Sequence, residues 1–278
     1  MPLNFELAGK MYESDTIEIS GESIAAYAAA SRIDNPRHEV GPEQVPSLIY
    51  PVVIGLPMTV AVSSDPELGV DNPLMIVHGE QDMIFHRPMR PGETLVFTPL
   101  LESVEDKGKG ATYVSKVTAT TSDGEVVNEQ LSTIFVRGAG SGTERPKSNP
   151  TAPPAHHHQV ASFTKHVDQG MPEDYAAASG DHNPIHTDPG VAVAVGLPGV
   201  INHGLGTLSI VSGGLVDQLA DGDPGRIRRI QVRFTDMVIP GSDLETSVFS
   251  PDGGSFRFET TRPDGKAVMM GVVEVKSG

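Results

Sequence analysis

The sequence predicts an α+β protein built from two copies of one unit, each a long helix packed against an antiparallel sheet. Three observations carry that prediction: a segment that occurs twice, a polar connection between the two occurrences, and the same order of helical and strand-like runs on either side. Residues 27–38, YAAASRIDNPRH, and 175–186, YAAASGDHNPIH, agree at eight of twelve positions with one offset of 148 (175 − 27). A second echo, at an offset of 149 (234 − 85), joins FHRPMRPGETL at 85–95 to FTDMVIPGSDL at 234–244. The two share the aromatic start, the Pro-Gly turn and the closing leucine. Ala-rich helices resemble one another by chance, but two echoes in register mark a duplication.

The units are read as residues 1–137 and 161–278, with 138–160 as the link. That link begins GAGSGTERPKSNPTAPPAHHH, rich in Gly, Ser and Pro and without apolar periodicity. Its three adjacent histidines, His156, His157 and His158, lie on a Pro-flanked coil and do not converge on a metal. The Gly138 to Gly142 run lacks the following helix that a phosphate loop needs.

Each unit begins with a short helix, about 21–31 and 171–179, closed by an Asn-Pro loop, since a residue before proline is pushed out of the α region. A longer helix of small and apolar residues follows, near 47–64 and 202–220, with Ser47 and Asn202 as candidate N-caps. Strand-like runs come next: Met75–Phe85, Glu93–Glu102, Ala111–Ser122 and Val126–Val136, then Arg228–Asp236, Asp243–Phe249, Ser255–Arg262 and Ala267–Val275. The alternation of Ile230, Val232 and Phe234 with Arg229, Gln231 and Arg233 gives one packed and one solvated face. A helix laid on such a sheet is the smallest arrangement that buries both.

With 36 acidic and 20 basic side chains the chain has a formal charge of −16, which argues against nucleic acid or an anionic membrane as partner. Cysteine is absent, so disulfides, thiolate metal sites and cysteine nucleophiles are excluded. No run approaches the ~18 apolar residues of a membrane span, and the amino terminus lacks a basic start followed by an apolar run, so a cytoplasmic protein is expected. No Gly-x-Ser-x-Gly elbow occurs, which disfavours serine hydrolysis.

Chemistry concentrates in Ser179-Gly180-Asp181-His182-Asn183-Pro184-Ile185-His186. Gly180 ends the short helix and Pro184 keeps the loop from recoiling, so Asp181 and His186 can turn towards a common point. A carboxylate and an imidazole can share one water and divide its proton transfers. Asn183 supplies an amide to orient that water or the carboxylate. Downstream, Asn202-His203-Gly204-Leu205-Gly206 opens a helix whose free N–H groups can receive a developing oxyanion. His203 is read as closing that helix start, and Tyr175 as packing. The first unit keeps Asn35 and His38 but has Ile33 at the position of Asp181 and Arg32 at that of Gly180, so no chemistry is expected there. Its helix, with Pro51 and Pro57, is expected to bend and leave room for an acyl group.

The string Ser179-Gly180-Asp181-x-Asn183-Pro184-x-His186, with His78-Gly79-Glu80-Gln81 in the first unit, resembles the signature of the MaoC-like, or hydratase 2, family. The resemblance implies a fused double hotdog fold and reversible hydration of a trans-2-enoyl-CoA to the (3R)-3-hydroxyacyl-CoA, in fatty-acid or sterol side-chain metabolism. It implies Asp181, His186 and Asn183 as catalytic residues and the backbone N–H of Gly204 as oxyanion donor. No cofactor and no metal are expected beyond the acyl-CoA substrate, and a homodimer is expected. Arg226, Arg228, Arg229 and Arg233, four guanidinium groups in eight residues, are candidates for the coenzyme's phosphates. Dehydration of a 3-hydroxyacyl group on acyl carrier protein, thioester hydrolysis on the same fold, and a catalytically silent acyl-CoA-binding subunit are the competing readings.

Overall fold

The duplicated segments occupy equivalent places in one continuous sheet. The computed structural model describes residues 2–72, 75–142, 158–250 and 255–276. The first unit contains β1 (Asp15–Glu18), α1 (Gly21–Ala30), α2 (Pro51–Ser63), β2 (Ile76–Phe85), β3 (Thr94–Asp106), β4 (Gly110–Thr120) and β5 (Val126–Arg137). The second contains β6 (His158–Val167), α3 (Met171–Ser179), α4 (Pro189–Ala194), α5 (Gly204–Ala220), β7 (Ile227–Phe234), β8 (Ser242–Ser250), β9 (Ser255–Thr261) and β10 (Ala267–Val275). The strand order is β1-β3-β4-β5-β2-β7-β10-β9-β8-β6, so the two sets of five repeat one another in opposite directions from the centre.

That centre is the antiparallel pairing of β2 with β7, in which Asp82 stands opposite Gln231. These two residues are duplicates of one another (231 − 82 = 149), so a pseudo-twofold axis passes between them. The same axis passes between Tyr27 and Tyr175, whose hydroxyls lie 3.0 Å apart in the core. One apolar cluster spans both units, with Ile24, Tyr50 and Met83 from the first and Leu208, Val211 and Ile230 from the second. A second cluster, including Leu3, Val62, Leu101, Tyr113 and Val136, belongs to the first unit.

The long helices differ. Every residue of α5 from Leu205 to Val216 is buried, and its glycines admit neighbours: a Cβ on Gly214 would stand 2.2 Å from the Phe163 ring. Helix α2 is shorter, carries Pro57 in its interior, and leaves Val60 half exposed. Pro51 sits at its first position, where a missing N–H removes no helical bond. Among the described residues no helix is long and apolar enough to cross a membrane.

The strand-like runs become β2 to β5 and β7 to β10 with small shifts at their ends. Both edge strands, β1 and β6, escape the sequence reading, because an edge needs no strong apolar alternation when one side of its backbone has no partner. Helix α4 escapes it too, although Asp188 followed by Pro189 is a recognisable start: the Asp188 carboxylate accepts from the N–H groups of Gly190 and Val191. The candidate N-caps are corrected. Helix α2 is entered through a turn in which the Tyr50 N–H donates to the Ser47 carbonyl, and the Ser47 hydroxyl is buried without a partner. The residue preceding α5 is His203; Asn202 is pinned to the Val238 carbonyl, and its side chain donates to Thr207 Oγ1 at 3.0 Å. The stretch read as the link runs from the end of β5 into the first residues of β6. His156 and His157 lie outside the described residues, whereas His158 opens β6 opposite Ser250.

The Tyr27 hydroxyl lies 3.0 Å from the Tyr175 hydroxyl and 2.6 Å from Ser209 Oγ. Tyr27→Phe leaves those buried partners short of a bond, and urea denaturation is expected to show a loss of about 1–2 kcal/mol. An unchanged midpoint and slope would remove this cluster from any account of how the units are joined.

Candidate active site

Gly180 closes α3 in the left-handed conformation, φ 77°, and sends the chain outward so that the next residue, Asp181, faces the start of α5. Asp181 Oδ1 accepts from the Asn183 N–H at 3.2 Å, and Asn183 Oδ1 in turn accepts from the Ile185 N–H, opening a single 3-10 turn over Pro184–His186. Asn183 therefore holds the carboxylate through its backbone, while its side-chain oxygen caps the turn that presents His186. His186 is buried, and its Nδ1 lies 2.8 Å from the Ile201 carbonyl. A carbonyl only accepts, so Nδ1 carries the proton and Nε2 is left as an acceptor, the form required of a general base. Burial holds the His186 pKa below its ordinary value, against the Ile201 carbonyl and the Asp181 charge.

One donor or acceptor atom from each of Asp181, His186 and His203 lies within 4.8 Å of the others. Two hydrogen bonds of about 2.8 Å to one tetrahedral water put its partners about 4.6 Å apart. Atoms of Asp181 and His186 no more than 4.8 Å apart are within reach of a single shared partner. The same trio is chemically able to ligate a transition metal, since each imidazole keeps one nitrogen free of the backbone.

His203 directly precedes α5 but makes no side-chain cap bond. Its Nε2–H donates to the Asp181 carbonyl at 3.0 Å, and its ring stacks on His186 with centroids 3.8 Å apart. Gly204 is the first residue of the helix, exposed, with an N–H that has no acceptor inside α5. Facing it is the ring of Phe234, which the His78 ring meets edge-on with centroids 5.2 Å apart. His78 belongs to the first unit, where β2 gains one residue against β5 between His78 and Glu80, a bulge that re-aims the side chain. Burial pushes the His78 pKa down to about 4, with the Glu80 carbonyl, Gln81 and the Asp181 charge acting the other way.

Two family models match the chain, one in each unit: a FAS1-like dehydratase domain region over residues 6–130 and a MaoC-like domain over residues 151–262. The chain is 30% identical over 223 residues to a Dictyostelium discoideum protein named probable enoyl-CoA hydratase 2, covering 78% of this chain and 76% of that one. It is 31% identical over 227 residues to 3-hydroxyacyl-thioester dehydratase Y of Mycobacterium tuberculosis, covering 76% and 77%. The chain belongs to the MaoC-like family of hydratases and dehydratases. A crystal structure of a MaoC-like dehydratase from Phytophthora capsici shares the fold of this MaoC-like protein with a TM-score of 0.86, at 24% identity over 99% of both chains. A Mycobacterium tuberculosis protein described as a double hotdog shares it with a TM-score of 0.58, at 14% identity over 96% and 95%. The α+β double hotdog read from the sequence is the fold observed.

The first unit of this MaoC-like protein repeats the backbone of the site without its chemistry. Asn35 opens a 3-10 turn over Pro36–His38, and His38 Nδ1 lies 2.7 Å from the Val45 carbonyl, matching His186 and Ile201. Arg32 takes the left-handed place of Gly180 and is held by Asp168 and Asp174 of the second unit. Ile33 replaces the carboxylate and packs against Gly213 of α5. Tyr50 and Pro51 precede and begin α2 as His203 and Gly204 do α5, and a proline has no N–H to offer an oxyanion. A cavity of about 20 Å³, enough for one water, lies at the start of α2, lined in part by Ser47, Pro51, Phe85, Asn128 and Ile227.

Two of the four arginines read as phosphate ligands have acidic partners. Arg226 pairs with Asp221, and Arg229 is bidentate on Asp82. Alternating with the buried Ile230 and Val232, Arg229 and Arg233 project from the face of β7 away from the core, and Arg228 is exposed. Sequence reasoning missed His78 as a neighbour of Phe234, although the His-Gly-Glu-Gln string was the signal for it.

Because the first unit lacks both the carboxylate and the oxyanion N–H, His38→Ala is expected to change turnover less than about tenfold, well below the loss typical of a positioned acid-base group. Titration with a tight, unreactive acyl-CoA analogue should find one productive site per chain, and two equivalent sites would overturn the assignment.

Proposed function

We propose that this MaoC-like protein adds water reversibly across the double bond of a trans-2-enoyl thioester of coenzyme A, giving the (3R)-3-hydroxyacyl-CoA. The observation that carries the reading is the meeting of Asp181, the free Nε2 of His186 and the open N–H of Gly204 at the start of one helix. Asp181 and His186 hold the water. As its oxygen adds to C3, one of the pair takes a proton and C2 receives one, so the site is restored within the cycle. Negative charge moves onto the thioester oxygen as the bond orders shift. There the Gly204 N–H and the positive end of α5 stabilise it, an effect of about 100–1,000-fold per donor in other enzymes. Water is the only co-reactant in this chemistry and no cofactor is called for. The same groups run the dehydration in reverse, a direction favoured by the relative named 3-hydroxyacyl-thioester dehydratase Y.

Asp181→Asn and His186→Ala are each expected to lower hydration of crotonyl-CoA and of a long-chain 2-enoyl-CoA by at least about 100-fold while leaving the circular dichroism spectrum unchanged. Chiral analysis of the alcohol should return the R enantiomer. Near wild-type turnover in either folded variant, or the S alcohol, would sink the reading.

A cytoplasmic homodimer belongs to the same proposal. A protein without cysteine needs no oxidising compartment to fold. The outer edge of β6 is an unpaired strand carrying the exposed Val160, which an isologous contact would cover. Sedimentation equilibrium at micromolar concentration is expected to give twice the 29.4 kDa chain mass. A species that remains at chain mass over that range refutes the dimer alone.

A further inference from the structure

We propose that His203 is a positioning residue that holds the Asp181 loop, the His186 ring and the Gly204 N–H in register. The proposal rests on the hydratase reading above for what the three groups do, and on geometry for the coupling itself. The His203 carbonyl accepts from both the N–H and the hydroxyl of Thr207, at 2.9 and 3.0 Å, which fixes its backbone to the first turn of α5. The side chain then leaves the helix. Its Nε2–H reaches the Asp181 carbonyl at 3.0 Å, tying the helix start to the carboxylate's own peptide. The ring lies between two others: 3.8 Å from His186 at an interplanar angle of 30°, and 4.9 Å from Tyr175. Tyr175 is itself anchored on the pseudo-twofold axis by Tyr27.

A residue serving only to start the helix would direct a side-chain acceptor back to the free N–H groups of the first turn. His203 does the opposite, and its remaining nitrogen, Nδ1, is buried without a partner. Nε2 carries the ring proton, because the Asp181 carbonyl it faces only accepts, so in the neutral ring Nδ1 is unprotonated. The ring is thereby kept in the tautomer that donates from Nε2 to Asp181. The first unit supplies the contrast. Tyr50 stands at the equivalent place, aromatic but without that N–H donor, in a unit that has no carboxylate to hold.

His203→Phe keeps an aromatic ring and removes the donor, and His203→Tyr installs the residue that the first unit already folds with. His203→Gln returns an amide N–H of similar reach. In the Phe and Tyr variants kcat is expected to fall at least about tenfold with KM within about threefold, since misplacement of a reacting group by about 1 Å can cost about 100-fold while leaving ground-state binding intact. The Gln variant should recover most of that loss. Amide hydrogen exchange over residues 179–186, followed by mass spectrometry, should quicken in the Phe and Tyr variants and return towards wild type in the Gln variant. The exchange comparison needs no substrate, so it tests the clamp even if the wild-type protein fails to hydrate enoyl thioesters. Unchanged exchange in a folded Phe or Tyr variant overturns the proposal. So does a Gln variant as impaired as the Phe variant at equal stability.

Discussion

The antiparallel pairing of β2 with β7 is the constraint on which the rest of the molecule depends. It joins two five-stranded halves into one sheet of ten and places the duplicates Asp82 and Gln231 opposite each other. Two amphipathic units that each expose a sheet edge and an apolar face thus complete one another inside a single chain, with no open edge at the centre. The helices must then pack around the same axis, which is why Tyr27 meets Tyr175 in the core and one apolar cluster draws on both units.

Symmetry of the scaffold has not preserved symmetry of the chemistry. Both loops keep the left-handed residue, the Asn-Pro turn and a buried histidine bonded to a carbonyl, features that serve the fold as much as a reaction. What differs is the short set of groups that a reaction needs: Asp181 against Ile33, Gly204 against Pro51, His203 against Tyr50. The first unit also sends His78 across the junction on β2 to meet Phe234. The candidate site itself, Asp181, His186 and the start of α5, lies within the second unit.

Burial sets the protonation of the site. His186, His203 and His78 are all held below the ordinary histidine value, with desolvation the largest cause in each. Backbone carbonyls, not carboxylates, receive their donated protons, which fixes tautomers without adding charge.

The sequence by itself determined the duplication, the α+β class, the main strands and the pairing of Asp181 with His186, because each is written in a local pattern: a repeat at one offset, an alternation of period two, a string of defined residues. It also exposed the loss of the carboxylate at Ile33, a substitution visible by alignment of the chain with itself. Tertiary structure alone decided the edge strands, the entry into the long helices, the arrival of His78 from the other unit and the contacts of His203 with Asp181 and His186. It likewise decided the partners of two of the four arginines, pairing Arg226 with Asp221 and Arg229 with Asp82. Local spacing reports which face a residue occupies; which groups converge on a point is set by how two sheets and their helices meet across an axis, and no local pattern records that.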